Sequence, residues 1–340
     1  RTNDGVWISN FFVCTEMCGM GTFAHEFGHN LGVPDLYDTD MSSAGVGIWS
    51  IMSGGNYLTH QNKINPAHFD AWSKVALGWV DVIDIGENNN GKITLKPVEN
   101  NGDILRFKLS DHESFYFEYR SKTAGLFDRG LPQSGLLVWH VDESKTTNED
   151  ESHPLVRLIQ ADNDRDLERN RNQGDQSDPF LEGYVLTNQS EPPLLGYDGS
   201  DPRIRIGIES ITEDEMILDF SDPNAVIDAW FHKIDWRWED SNDDGFYNSV
   251  SISYDVDTDA TSTNVVVEVK FLNPDDKIEV LKLSEIHEIS GNEVDSFEQN
   301  AGFQEASYGL YDIIVLLRVD GRLSDRWTPE HAIWLEYPDN

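Results

Sequence analysis

Residues His25–Asp35 read HEFGHNLGVPD. On a helix, residues four apart share a face, so His25 and His29 present both imidazoles to one metal ion. Glu26, one residue along, is placed to take a proton from a water at that metal rather than to ligate it. Gly32 permits positive φ and Pro34 cannot continue a helix, so the chain is expected to turn back after Leu31. Asp35 then falls ten residues after His25, and a carboxylate oxygen is an acceptable third zinc ligand. Asp38 is its rival, at a less suitable spacing. A bare HExxH also arises by chance on surface helices, so Gly32, Asp35 and the following segment carry much of the weight.

Working outward, Phe23, Phe27 and Leu31 recur at spacing four and predict a helix over Met20–Leu31. Phe69, Trp72, Val75 and Ala76 predict a second over Pro66–Leu77, with Pro66 in its first turn. Between them lies GIWSIMSGGNY, Gly47–Tyr57. Met52, flanked by Ser53, Gly54 and Gly55, suits a tight turn below the histidines, the alternative being a plain core methionine. HExxHxxGxxH followed by a methionine turn is the metzincin layout, here with Asp35 in place of the last histidine. Tyr57 is a candidate hydrogen-bond donor to an oxyanion, with His60 competing for that role.

From about residue 81 the pattern changes to short β-branched and aromatic runs: KITLKPV, ILRFKLS, SFYFEYR and GLLVWHV, then strands near Ile204–Ile208 and Met216–Phe220. SDPN, Ser221–Asn224, reads as a linker, and alternating runs after it predict a β-sandwich. The expectation is an α+β chain in three parts: a zinc-binding catalytic subdomain over 1–80, a β-rich subdomain over 81–222, and a β-sandwich over 223–340.

The 340 residues hold 25 Lys+Arg against 62 Asp+Glu, a net charge of −37. So acidic a surface repels phosphate backbones and anionic headgroups, which argues against nucleic-acid and anionic-membrane partners. It suits divalent cations and a saline or marine setting. No apolar run is long enough to span a bilayer, so membrane insertion is not expected. The first residue is Arg1 and only about 20 residues precede the zinc helix. The N-terminus therefore reads as a cut or processing point, with the upper half of a catalytic domain expected to be missing.

DSNDDG, Asp240–Gly245, matches the opening of a calcium loop: Asp240, Asn242 and Asp244 offer side-chain oxygens and Phe246 its carbonyl. Position twelve is Ser251, so a true EF-hand is excluded, and Asp255, Asp257 or Asp259 would have to supply the missing carboxylate; a solvated turn is the plainer reading. Asp162, Asp164 and Asp175 form a second calcium candidate, in a loop that also carries Asp166 and Asp178. Arg165, Arg169 and Arg171 stand near enough in sequence to neutralise some of these charges. Cys14 and Cys18 are the only cysteines and read first as a disulfide within one loop, second as metal ligands. His140 and Asp142 alternate with apolar residues on a strand and read as structural rather than catalytic, with a role lining the cleft as the alternative.

GTFAHEFGHNLGVPDLYD, GIWSIMSGG, PAHFDAWSKVALGWV, GLPQSGLLVWHVDES and VRLIQADNDRDLERNRNQGDQSDPF occur in this order, and together the segments resemble the immune inhibitor A-type secreted metalloproteases over about residues 1–220. The resemblance implies a secreted, metzincin-like zinc endopeptidase acting on proteins or peptides, made with a propeptide and often carrying calcium and accessory β-domains. By motif it makes His25, His29 and Asp35 ligands, Glu26 the base and Met52 the turn methionine. The expected assembly is a monomer, associated if at all with its own N-terminal segment or propeptide. The alternative is a non-catalytic surface- or matrix-binding β-module with a vestigial zinc site.

Overall fold

A computed structural model of the chain describes residues 3–5, 11–86, 89–100, 102–221, 229–239, 249–273, 279–291, 296–302, 309–329 and 333–335. It divides into two compact units, one of residues 1–182 and 186–223, the other of 183–185 and 224–340. Most described secondary structure is strand, with two α-helices.

In the first unit, α1 spans Met20–Leu31 and ends at Gly32, whose φ of 110° lets its N–H donate to the carbonyls of Gly28 and His29. The apolar recurrence located this helix but not its buried face. Phe23 is 53% exposed, and the buried residues are Gly21, His25 and Gly28. The backbone itself comes close on that side: a Cβ on Gly21 would lie 1.9 Å from the Asn56 carbonyl oxygen. The outward rings of Phe23 and Phe27 meet Phe12 edge-on.

The second helix is shorter than expected, with α2 covering only Ala71–Ala76. Asp70 caps it by accepting from Ser73 N, and the preceding residues are claimed by other partners. Ala67 N donates to the Gly55 carbonyl, and the His68 carbonyl accepts from Ile51 N. A hairpin of β1 (Thr59–His60) and β2 (Lys63–Ile64) precedes it.

Then come β3 (Val82–Ile85), β4 (Gly91–Leu95), β5 (Ile104–Lys108), β6 (Glu113–Arg120), β7 (Gly135–Asp142), β8 (Val156–Ile159), β9 (Val185–Leu186), β10 (Arg205–Ile211) and β11 (Met216–Ser221). One sheet has the order β3-β5-β6-β7-β8, antiparallel except for β3 beside β5; another runs β4-β11-β10-β9. Alternate residues of β7, Leu137, Trp139 and Val141, join Trp49, Met52 and Ala71 in one core. The helical segment before residue 80 and the first sheet are thus packed as one body.

Five ionisable groups are buried where β6 meets α2. Arg120 is bonded to both oxygens of Asp128 at 2.6 and 2.9 Å and to Glu118 at 3.2 Å, while Lys74 reaches Glu118 at 2.6 Å. Glu99 lies 3.5 Å from Arg120, yet one of its oxygens is buried with no donor. Burial, reinforced by Asp128, pushes the Glu99 carboxyl up to about 8, whereas Asp128, although buried, is held well below the carboxylate range by Arg120. A protonated Glu99 leaves two cations facing two anions. The raised folded-state value means this stability is complete below about pH 4.5 and is lost as pH rises through about 8. Glu99→Gln keeps a donor without the titration. Its urea midpoint is expected to gain on the parent's steadily from pH 5 to 8, and an unchanging difference would refute the assignment.

The second unit comprises β12 (Ala229–Glu239), β13 (Ser249–Thr258), β14 (Thr263–Leu272), β15 (Glu279–Ile289), β16 (Ser296–Gly302), β17 (Gly309–Val319), β18 (Arg322–Trp327) and β19 (Ile333–Leu335). Its sheets run β12-β13-β16 and β15-β14-β17-β18, with β19 also pairing β17. Every second residue of β13, β14 and β17 enters one core, including Val250, Ile252, Val265, Val267, Val315 and Leu317. Two sheets closed over a shared apolar layer form a sandwich. Asp240, Asn242, Asp244 and Phe246 of the first calcium candidate lie outside the described residues. Of the residues considered to complete it, Asp257 is buried and paired with His232 at 3.2 Å.

Candidate metal centre

His25 Nδ1 bonds the Ile51 carbonyl at 2.8 Å, and His29 Nδ1 bonds the Val33 carbonyl at 3.0 Å. A carbonyl only accepts, so each ring carries a proton on Nδ1, and in the neutral ring Nε2 keeps the lone pair. Each Nε2 lies 3.1 Å from Asp35 Oδ1, a buried oxygen. With both rings neutral these are three acceptors facing one another, which repel unless a proton or a metal cation lies between them. Two imidazole nitrogens and one carboxylate oxygen are a donor set that suits zinc, and the two carbonyls fix the rings as outer-shell partners of a metal site do.

The electrostatics agree. Burial disfavours a charge on His25, yet Asp35 and the Ile51 carbonyl hold its pKa above the ordinary histidine value. Burial also opposes ionisation of Asp35, but His25 and His29 hold it below the usual carboxylate range. The group therefore attracts positive charge.

The turn below the histidines is braced along its length. Met52 is fully buried, and a Cβ on Gly28 would come within 2.6 Å of its sulfur, so glycine lets the helix settle onto the thioether. Leu36 N donates to the Met52 carbonyl at 2.8 Å, which ties the Asp35 segment to the turn. Ser50 Oγ donates to Asp70 at 2.8 Å and accepts from Met52 N. The Trp49 carbonyl accepts from Arg120 at 3.1 Å.

The remaining sequence candidates separate clearly. Asp38 is buried but accepts from Asp40 N, Ser42 Oγ and Ser43 N, so it closes its own loop outside the ligand group. Glu26 is half-buried, and its charge is felt by both His25 and Tyr37. Tyr57 is 68% exposed and His60 half-buried on β1. Tyr37, to which the sequence reading gave no role, lies nearly parallel to the His25 ring at 6.2 Å, and its hydroxyl helps hold Asp35 ionised. Its only sequence signal is its place two residues after Asp35.

In the acidic loop, oxygens of Asp162, Asp175 and Asp178 lie within 4.8 Å of one another. Asp164 is outside that group and donates its N–H to Asp162. Cys14 and Cys18 form a disulfide. His140 bonds Glu113 at 2.6 Å and Asp142 bonds His153 at 2.7 Å, with Tyr197 stacked between the two imidazoles.

The family model for the immune inhibitor A peptidase M6 catalytic domain matches residues 1–80. Pre-pro-metalloprotease PrtV of Vibrio cholerae is 45% identical over 56 residues, 16% of this chain and 6% of that protein. Immune inhibitor A of Bacillus thuringiensis subsp. alesti is 36% identical over 74 residues, 19% of this chain and 11% of that one. The matches thus span about a tenth or less of these relatives. Among solved structures, a beta-glucuronidase of Bacteroides uniformis is 15% identical, covering 37% of this chain and 16% of that one with a TM-score of 0.26. A putative beta-galactosidase from Bacteroides fragilis is 12% identical, covering 36% and 19%, also at 0.26. Likeness at that level carries no argument. Over residues 1–80, where the HEFGH helix and methionine turn lie, the chain's likeness to the immune inhibitor A metalloproteases is shown.

Proposed function

We propose that this chain carries the zinc-binding part of a metzincin-like, secreted endopeptidase, with His25, His29 and Asp35 as ligands. The observation that carries the proposal is the convergence of both Nε2 atoms on Asp35 Oδ1 at 3.1 Å, with each Nδ1 engaged by a backbone carbonyl. Zinc held there would supply Lewis acidity, polarising a carbonyl and acidifying water.

The chain's own residues would do the rest. Glu26 takes the proton from the attacking water and returns it to the departing amine. Ile51 and Val33 hold the imidazoles in one tautomer, and Tyr37 steadies Asp35. Tyr57, on the exposed side, is the candidate donor to the oxyanion. The substrates are proteins or peptides, the setting is extracellular, and calcium in the acidic loops has a structural part.

The test is metal analysis joined to an assay on an unfolded protein. One zinc per chain is expected, with hydrolysis stopped by 1,10-phenanthroline and restored by zinc. Asp35→Ala should lose zinc affinity at least about tenfold. Stoichiometric zinc without turnover would instead favour the vestigial-site reading, and no zinc at all would end both.

A further inference from the structure

We propose that Asn148, in the connection between β7 and β8, is a positioning residue for the third metal ligand and acts on Asp35 through the Leu36 carbonyl. This rests on the reading of His25, His29 and Asp35 as zinc ligands and extends it to a residue 112 positions along the chain from Leu36. Asn148 is only 1% exposed. Its Nδ2 donates to the Leu36 carbonyl at 2.9 Å and to the Val156 carbonyl at 2.8 Å, while its Oδ1 accepts from Val156 N at 3.0 Å. A carbonyl only accepts and a backbone N–H only donates, so the side-chain amide can face one way only. Val156 opens β8, so two of the three bonds fix the amide to the first sheet and the third reaches across to the ligand segment.

Leu36 is the point at which that segment can be held. It is fully buried and stands between Asp35 and Tyr37, whose hydroxyl bonds Asp35. Among the described residues, neither Asp35 nor Tyr37 has a main-chain hydrogen bond of its own. Leu36 carries them instead: its N–H donates to the Met52 carbonyl at 2.8 Å, and its carbonyl accepts from Val46 N at 3.0 Å as well as from Asn148. A Cβ on Gly45 would lie 2.1 Å from that carbonyl oxygen, so backbone closes in beside it.

The same connection meets the residues after Asp35 at two more points. Thr39 Oγ1 donates to Glu149, and Ser42 Oγ donates to Glu151 at 3.1 Å. Both bonds are exposed, so water can replace either partner, whereas the Asn148 bond is buried and has no such substitute. Without Asn148, the Leu36 backbone keeps Met52 and Val46, which lie in the segment before residue 80 with it, and loses its direct tie to the first sheet. A ligand whose backbone is free to shift no longer points at one place, which is how an outer-shell partner comes to govern metal affinity.

The test measures the zinc affinity of the whole chain by chelator competition, together with the visible absorption of the cobalt(II)-substituted chain, which reports ligand geometry. Asn148→Ala is expected to bind zinc about 10- to 100-fold more weakly and to shift the cobalt bands. Val138→Ala is the stability control, since it opens a cavity in the same sheet but outside the core that holds Trp49 and Met52. It should lower the melting temperature of the metal-free chain while keeping parental zinc affinity and cobalt bands. Asn148→Ser, whose hydroxyl can still accept from Val156 N, is the milder variant should the alanine chain not fold, and is read in the same way. A folded Asn148 variant with parental affinity and bands would overturn the proposal. So would an equal loss of affinity in Val138→Ala, because the effect would then be one of general stability. A parent chain that binds neither metal would overturn the zinc reading itself, and this inference with it.

Discussion

Glu26→Gln is expected to keep its zinc and lose about 10²- to 10⁴-fold in turnover. The amide matches the carboxylate in shape, so neither α1 nor the three ligands next to it should shift. It cannot accept a proton, and that is the one function assigned to Glu26. The loss should fall on kcat with KM little changed, because a general base acts in the transition state rather than in binding. Zinc content by mass spectrometry and hydrolysis of a quenched-fluorescent peptide, measured on the same samples, read the two parts separately. A variant that keeps more than about a tenth of parental turnover with full zinc would show that the base is another group. A variant that loses zinc would place Glu26 among the residues holding the site together.

The grouping of His25, His29 and Asp35 was legible because its signals are local. His25 and His29 share a helix face by spacing alone, and Gly32 and Pro34 mark the turn that brings Asp35 back. The buried side of α1 was not legible. Periodicity counts side chains, whereas this helix packs through Gly21 and Gly28, which matter for the atoms they lack. The apolar stripe of Phe23 and Phe27 therefore marked the helix and misdirected its face. The extra length given to α2 has a similar cause: Pro66 to Phe69 suit a first turn, but Ala67 and His68 are engaged by Gly55 and Ile51. The strands of both units were readable from alternation. Partners far apart in sequence were not. Trp49 and Asp178 are 129 residues apart, and nothing near either one announces the bond. Tyr37 stood inside a quoted motif without a spacing rule to give it a role.

The buried ion network shows the same limit, and it carries the largest expected effect on stability. Arg120→Leu should destabilise the first unit by about 3–5 kcal/mol, the range for breaking a buried ion pair from one side. Arg120 is fully buried, and its removal leaves Asp128 with the His68 N–H at 2.9 Å and the Glu99 carboxyl, while Glu118 keeps Lys74 and Trp139. The charge balance that a protonated Glu99 completes would shift to one cation against two anions. The effect also reaches the metal group, since Arg120 holds the Trp49 carbonyl two residues before the Ile51 carbonyl that orients His25. Arg120→Lys keeps the charge but loses the two-pronged contact with Asp128, so its cost should be smaller. Urea unfolding of the parent and both variants measures the order, and zinc titration of each folded variant tests the link to His25. Equal losses for Leu and Lys would mean that fork geometry, rather than charge, holds this core. A loss below about 1 kcal/mol for Leu would mean that water or a proton readily replaces the guanidinium.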